Sequence, residues 1–355
     1  MLHLPPIVFR TIDLDPISFR TESRPPRPPR RTGLTVWILL GLALALGAAS
    51  AQATSPPKDL AEARSEAHLR VAATLPPLAW LVSQVAGPDV QVEHLVEPGD
   101  QPETFQPSDR RITEIARSAV FFRIGIPAEN GPWLRALEKS GHVQVVDLRQ
   151  GIEMRVLEGH SHGHRAHGHR AHGRQAHGHR AHGHRAHGAE DPHIWLSPRR
   201  LEQMGRIICR RLSALDPEGS GGYERRTAAL SRRLLELDQE LRRRLTPVQG
   251  RAFFVFHPTW GYFADDYGLR QIAVEIEGKE PTEREMTRLM GQARTLHMHT
   301  IFVQPQIRSS TPHQLAEMLG ARVESLDPLA PDVLANLDHV ANRLLTALQP
   351  GEAEP

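Results

Sequence analysis

Histidines crowd one stretch of this chain at spacings that suit metal chemistry. They stand at His160, His162, His164, His167, His169, His172, His177, His179, His182, His184 and His187, separated mostly by Gly, Ala and Arg. Neutral imidazole is a borderline-soft nitrogen donor suited to zinc, copper and nickel, so such a tract collects transition metals, each imidazole pair weakly and with fast exchange. It carries no apolar face to bury and is expected to be a solvated loop, 159–188. Three residues separate its last histidine from the segment Asp191-Pro192-His193-Ile194-Trp195.

A second set of donors makes sense only through the elements that must hold them. Short apolar or β-branched runs at 69–73, 90–95, 119–124 and 143–146 predict strands, and residues 78–85, 108–116 and 132–140 predict helices between them by their 3.6 periodicity. A helix at 198–215 follows the histidine tract. The alternation resumes with strands at 252–256, 271–274, 300–303 and 322–325 and helices at 259–267, 282–296, 312–319 and 331–348. Strand–helix alternation of this kind implies parallel sheets covered by helices, hence an α/β fold of two doubly wound lobes. Between the lobes, Leu230, Leu234, Leu237 and Leu241 mark one helix over 223–245, punctuated by glycines at 219–222 and by Pro247 and Gly250. One long helix of that kind is expected to act as a stiff connector.

In open α/β sheets, ligands bind beyond the carboxyl ends of the strands. Four donors fall in turns of that type: Glu103 after 90–95, His193 before the 198–215 helix, His257 directly after 252–256, and Asp327 just after 322–325. Two imidazoles and two carboxylates from four separate turns make a plausible four-coordinate metal site between the lobes. The other histidines outside the tract have no such setting, and Trp195, Trp260 and Tyr262 are expected to wall the cleft or fill a core.

Bulk composition excludes some functions. The net charge of +2 comes from an Arg-rich leader, and the chain after residue 53 is close to neutral, so no clustered basic face for nucleic acid is expected. Cys209 is the only cysteine, which rules out an intrachain disulfide and a multi-thiolate zinc site. Arg30 and Arg31, the apolar run 34–48 and the small residues at 49–53 are together expected to form a cleavable secretory signal, cut after Ala51 or Ala53. The domain plan that follows is 1–53 leader, 54–67 linker, 68–217 first lobe including the loop 159–188, 218–248 linking helix, 249–349 second lobe and 350–355 tail.

The segment Asp191-Pro192-His193-Ile194-Trp195-Leu196-Ser197-Pro198 resembles the D-P-H-x-W-x-x-P signature of the metal receptors of bacterial zinc and manganese ABC importers, the ZnuA-like family. The likeness continues through His257-Pro258-Thr259-Trp260-Gly261-Tyr262-Phe263, Tyr267-Gly268-Leu269, the turn 278–282 and Leu326-Asp327-Pro328-Leu329, and spans 69–348. A histidine-rich insertion before the Asp-Pro-His segment resembles the zinc branch. The resemblance implies metal held in the cleft by His193, His257 and Asp327. It also implies a periplasmic, monomeric receptor without enzymatic activity that passes Zn²⁺ to a membrane permease with a cytoplasmic ATPase.

One position departs from the family pattern. Where relatives show P-H-T-[FY]-x-P, this chain has Pro102-Glu103-Thr104-Phe105-Gln106-Pro107. The carboxylate is harder than imidazole, which leaves Mn²⁺ or Fe²⁺ as alternatives to Zn²⁺. Either Glu103 coordinates, or three protein ligands and a water complete the shell. Two readings from other classes are a periplasmic metal buffer built on the tract and a zinc hydrolase, although no HExxH pair is present.

Overall fold

The computed structural model of the protein describes residues 69–157, 190–276 and 278–349. The expected leader, linker, histidine-rich loop and tail lie outside those residues.

The described residues form two four-stranded parallel sheets. In the first, β1 (Leu69–Ala73), β2 (Val90–His94), β3 (Val120–Arg123) and β4 (Gln144–Asp147) lie in the order β2-β1-β3-β4. In the second, β5 (Ala252–Val255), β6 (Arg270–Ala273), β7 (Thr300–Val303) and β8 (Arg322–Ser325) repeat it as β6-β5-β7-β8. In each sheet the order reverses beside the first strand, and that switch opens a crevice at the carboxyl ends. The central strands are apolar on both faces, as burial between helix layers demands: Val71, Ala72 and Ala73 in β1, and Phe253, Phe254 and Val255 in β5, are fully buried.

The helices are α1 (Pro76–Ala86), α2 (Asp109–Ile115), α3 (Pro132–Ser140), α4 (Pro198–Leu215), α5 (Ser220–Leu245), α6 (Gly261–Tyr267), α7 (Glu283–Thr295), α8 (Thr311–Leu319) and α9 (Val333–Leu348). Their starts follow local chemistry. Prolines occupy the first turn of α1, α3, α4 and α8, where no N–H partner is lost. Ser108 and Ser197 accept from backbone N–H groups at the starts of α2 and α4, and Thr282 with Glu285 closes a capping box on α7.

Helix α5 is the longest element among the described residues, 26 residues, or roughly 39 Å at about 1.5 Å per residue. Tyr223, Thr227, Leu230, Leu234, Asp238, Leu241 and Leu245 form its buried stripe. That stripe packs on α1 and α4 beside the first sheet and on α6 and α9 beside the second. The glycine run expected to precede the helix is partly inside it: only Gly219 is a cap, and the helix runs through Gly221 and Gly222. A tertiary contact overrides the local preference. Arg226 donates to the carbonyls of Val85 (2.8 Å) and Ala86 (2.6 Å), tying this turn to the end of α1. A Cβ on Gly222 would meet that same guanidinium at 3.2 Å.

Another predicted boundary shifts. α6 begins at Gly261 rather than 259, because residues 257–260 form the turn that carries His257. Three single turns of 3-10 helix, Pro127–Glu129, Ile194–Leu196 and Thr246–Val248, carry too few residues to show a period. Cys209 is buried in α4, and no described helix is long and apolar enough to cross a membrane.

Candidate metal centre

Glu103, His193 and His257 come from turns more than sixty residues apart in sequence, yet their ligand atoms all lie within 4.8 Å of one another. Glu103 sits in the loop between β2 and α2, where Thr104 and Phe105 both donate backbone N–H bonds to the Gln101 carbonyl. His193 stands just before the 3-10 turn leading into α4. His257 follows β5 by two residues. All three therefore occupy the carboxyl-end crevice.

Each imidazole is held by a carboxylate on its far side. His193 Nδ1 lies 2.7 Å from Asp191 Oδ1, and the His193 backbone N–H donates to the same oxygen at 3.0 Å. His257 Nδ1 is hydrogen-bonded to Glu275 Oε1. With Nδ1 engaged in this way, both rings present Nε2 to the same point. Nε2 of His257 lies 3.4 Å from Glu103 Oε1, and that of His193 lies 3.9 Å from it. The ring planes cross at 75° with centroids 5.5 Å apart. A tetrahedral ion with bonds of about 2.0–2.1 Å needs donors about 3.3–3.4 Å apart, so the spacing found here needs only small adjustment. The Nε2 atom of His257 is buried and has no hydrogen-bond partner among the described residues. A buried polar atom left so is costly unless something else claims it, and a cation fits.

The electrostatics agree. Burial alone would raise the Glu103 carboxyl, but the His193 and His257 imidazoles close beside it hold it far below the usual range. Burial would depress His257, but Glu103 and Glu275 outweigh it and lift its pKa to about 10. His193 is lifted likewise, by Asp191 and Glu103 against burial. The crevice thus concentrates negative charge around two imidazoles and favours any cation, proton or metal.

The second-lobe turn is stapled in place. Gln271 Oε1 accepts from the Trp260 backbone N–H at 2.9 Å, and Gln304 Nε2 donates to Thr259 Oγ1. Trp195, Trp260 and Tyr262 are fully buried, and Trp195 Nε1 donates to the Pro328 carbonyl at 2.8 Å, joining the His193 segment to the Asp327 turn.

Of the four donors singled out from the sequence, the structure brings together Glu103, His193 and His257. Asp327 is not in that group. Its Oδ1 accepts from Gln306 Nε2 at 2.7 Å and from the Leu329 N–H at 2.9 Å, which ties that one carboxylate oxygen to its own turn and to Gln306. The tract histidines, His160 to His187, lie outside the described residues. Sequence reasoning missed two residues. Asp191 was visible in the Asp-Pro-His segment but given no role. Glu275 directly follows a predicted strand, the criterion that selected the other donors, and that rule applied evenly would have found it.

Residues 71–347 match the family described as "ZnuA: Zinc-uptake complex component A periplasmic". The chain is 28% identical over 270 residues to the "Zinc-binding protein AdcA" of Streptococcus pyogenes, a match covering 75% of this chain and 51% of that protein. It thus spans about half the length of those streptococcal relatives. It is 27% identical over 280 residues to the "High-affinity zinc uptake system protein ZnuA" of Bacillus subtilis, covering 78% of this chain and 82% of that one. A crystal structure of ZnuA superposes with a TM-score of 0.69 at 32% identity, covering 79% of this chain and 99% of that chain.

Proposed function

The chain belongs to the ZnuA family of periplasmic zinc-uptake components, and on that premise we propose that it is a receptor that captures one Zn²⁺ between its lobes for delivery to an ABC-type membrane importer. His193 and His257 supply nitrogen through Nε2 and Glu103 supplies oxygen. Asp327 is the candidate fourth donor: its Oδ1 is engaged by Gln306 and Leu329, so it would coordinate through Oδ2, and otherwise water completes the shell. The observation that carries this reading is the buried, unpartnered Nε2 of His257 facing Glu103 across the crevice. No step of bond-making chemistry is assigned, because a receptor only exchanges ligands on its cargo.

Export through a leader in residues 1–53 and action as a monomer belong to the same proposal. The loop 159–188 would raise the metal concentration near the crevice. Manganese or iron is the second reading, favoured by the Glu103 carboxylate standing where imidazole is usual. Metal analysis of the protein isolated from periplasm, with and without excess manganese, separates the two. About one tightly held zinc that survives the competition is expected, and manganese or iron in its place would reassign the cargo.

A further inference from the structure

The two imidazoles belong to turns beside different sheets, so their separation depends on how those two turns are fixed to each other. One side chain bridges the His193 turn to the helix that follows the His257 turn, beside the ties that Ser197 and Arg200 make to Asp266. Arg155 Nη1 lies 3.1 Å from Asp191 Oδ2, whose other oxygen holds His193 Nδ1. Its Nε lies 3.0 Å from Asp265 Oδ2 on α6, the helix that follows the His257 turn. The Arg155 backbone N–H donates to Tyr262 Oη at 3.0 Å, and that hydroxyl donates in turn to the Asp191 carbonyl at 2.8 Å. Asp191 is fully buried and the Arg155 side chain is 16% exposed, so the contact with Asp191 is shielded from water, whereas the Asp265 carboxylate is 54% exposed.

Gly261 gives the second observation. It opens α6, four residues after His257, with an ordinary backbone conformation that alanine also adopts. A Cβ placed on it would stand 1.4 Å from Arg155 Nη1. The glycine is the space in which the guanidinium lies, and the clash is with the end of a flexible side chain rather than with backbone. A methyl group there would evict the guanidinium and leave the fold intact.

We propose that Arg155 is a positioning residue for the metal centre, a brace seated in the notch at Gly261 that sets the distance between His193 and His257. It touches no metal; it acts through Asp191 on one side and through α6 on the other. The inference rests on the receptor reading and adds a residue to it. Arginine suits the task because its planar fork holds its donors in fixed directions toward two carboxylates, whereas a lysine ammonium is a point charge on a flexible stem.

The test is a double-mutant cycle on the full chain, read by zinc affinity in chelator competition and by the absorption spectrum of the cobalt(II)-loaded protein. Arg155→Ala and Gly261→Ala should each weaken zinc by about 10–100-fold, the range for groups that orient metal ligands, and alter the cobalt spectrum. Gly261→Ala keeps every charge, so it reports on placement alone and stands even if Arg155→Ala folds poorly. The double variant should be no weaker than Arg155→Ala, because the methyl then has nothing to displace. Wild-type affinity and spectrum in Gly261→Ala, or losses that add in the double variant, would overturn the brace. Equal zinc binding by wild type and His257→Ala would overturn the receptor reading itself and the brace with it.

Discussion

Each site histidine has one ring nitrogen committed to a carboxylate and the other turned toward Glu103, and this has consequences for pH. An isolated imidazole competes with metal for protons only below about 6.5. Here the surrounding carboxylates raise both imidazoles, His257 to about 10, so in the metal-free protein zinc displaces protons even at neutral pH. Zinc affinity should therefore keep rising from pH 7 toward pH 10. The stability of the metal-free protein runs the other way. A histidine raised on folding stabilises fully below its unfolded value of about 6.5 and loses that contribution as pH climbs through its folded value. Thermal melting of the metal-free chain beside zinc titrations over that window checks both slopes, and two flat profiles would contradict them. Replacing Glu103 by Gln removes one of the charges that raise His257. Its imidazole titration, followed by NMR, should move down and zinc should bind more weakly; an unmoved titration would place Glu103 outside the cluster. Residue types and turn positions made three of these donors readable in the sequence. The engagement of Asp327 with Gln306 was not readable, because it depends on a contact between two turns that only the folded second sheet brings side by side.

At the scale of elements, the strands and most helices were legible because each carries its own signal, apolar runs for buried strands and capped 3.6 periods for helices. What escaped was set by partners elsewhere. Arg226 reaches α1 and carries α5 back through its glycines, and residues 257–260 are held out of α6 by Gln271 and Gln304. The same helix α5 carries Asp238, which is buried and lies 3.2 Å from Arg199 of α4, 3.4 Å from Arg242 and 3.3 Å from the hydroxyl of Tyr267 in α6. Those arginines reach solvent, but Tyr267 is fully buried. Asp238→Ala would leave the tyrosine hydroxyl unpaired at a cost of about 1–3 kcal/mol. Urea denaturation of the metal-free protein measures it, and a loss below about 0.5 kcal/mol would show that the linking helix does not depend on this pair.

For the whole molecule, the receptor reading divides labour between a single enclosed site and a histidine-rich segment of weak, exchanging ligands. Removing residues 159–188 should leave the tight zinc equivalent intact and abolish only additional weak binding. His257→Ala in the full chain should lose the tight equivalent, by more than about 100-fold, and keep the weak ones. Both forms can be followed by calorimetric titration. The most direct test is a crystal of the full chain soaked in zinc and measured at the zinc absorption edge. One strong anomalous peak is expected about 2.0–2.1 Å from Nε2 of both His193 and His257, with a Glu103 oxygen in its shell. A crevice without that peak, in a crystal whose only zinc lies along the histidine-rich segment, would contradict it.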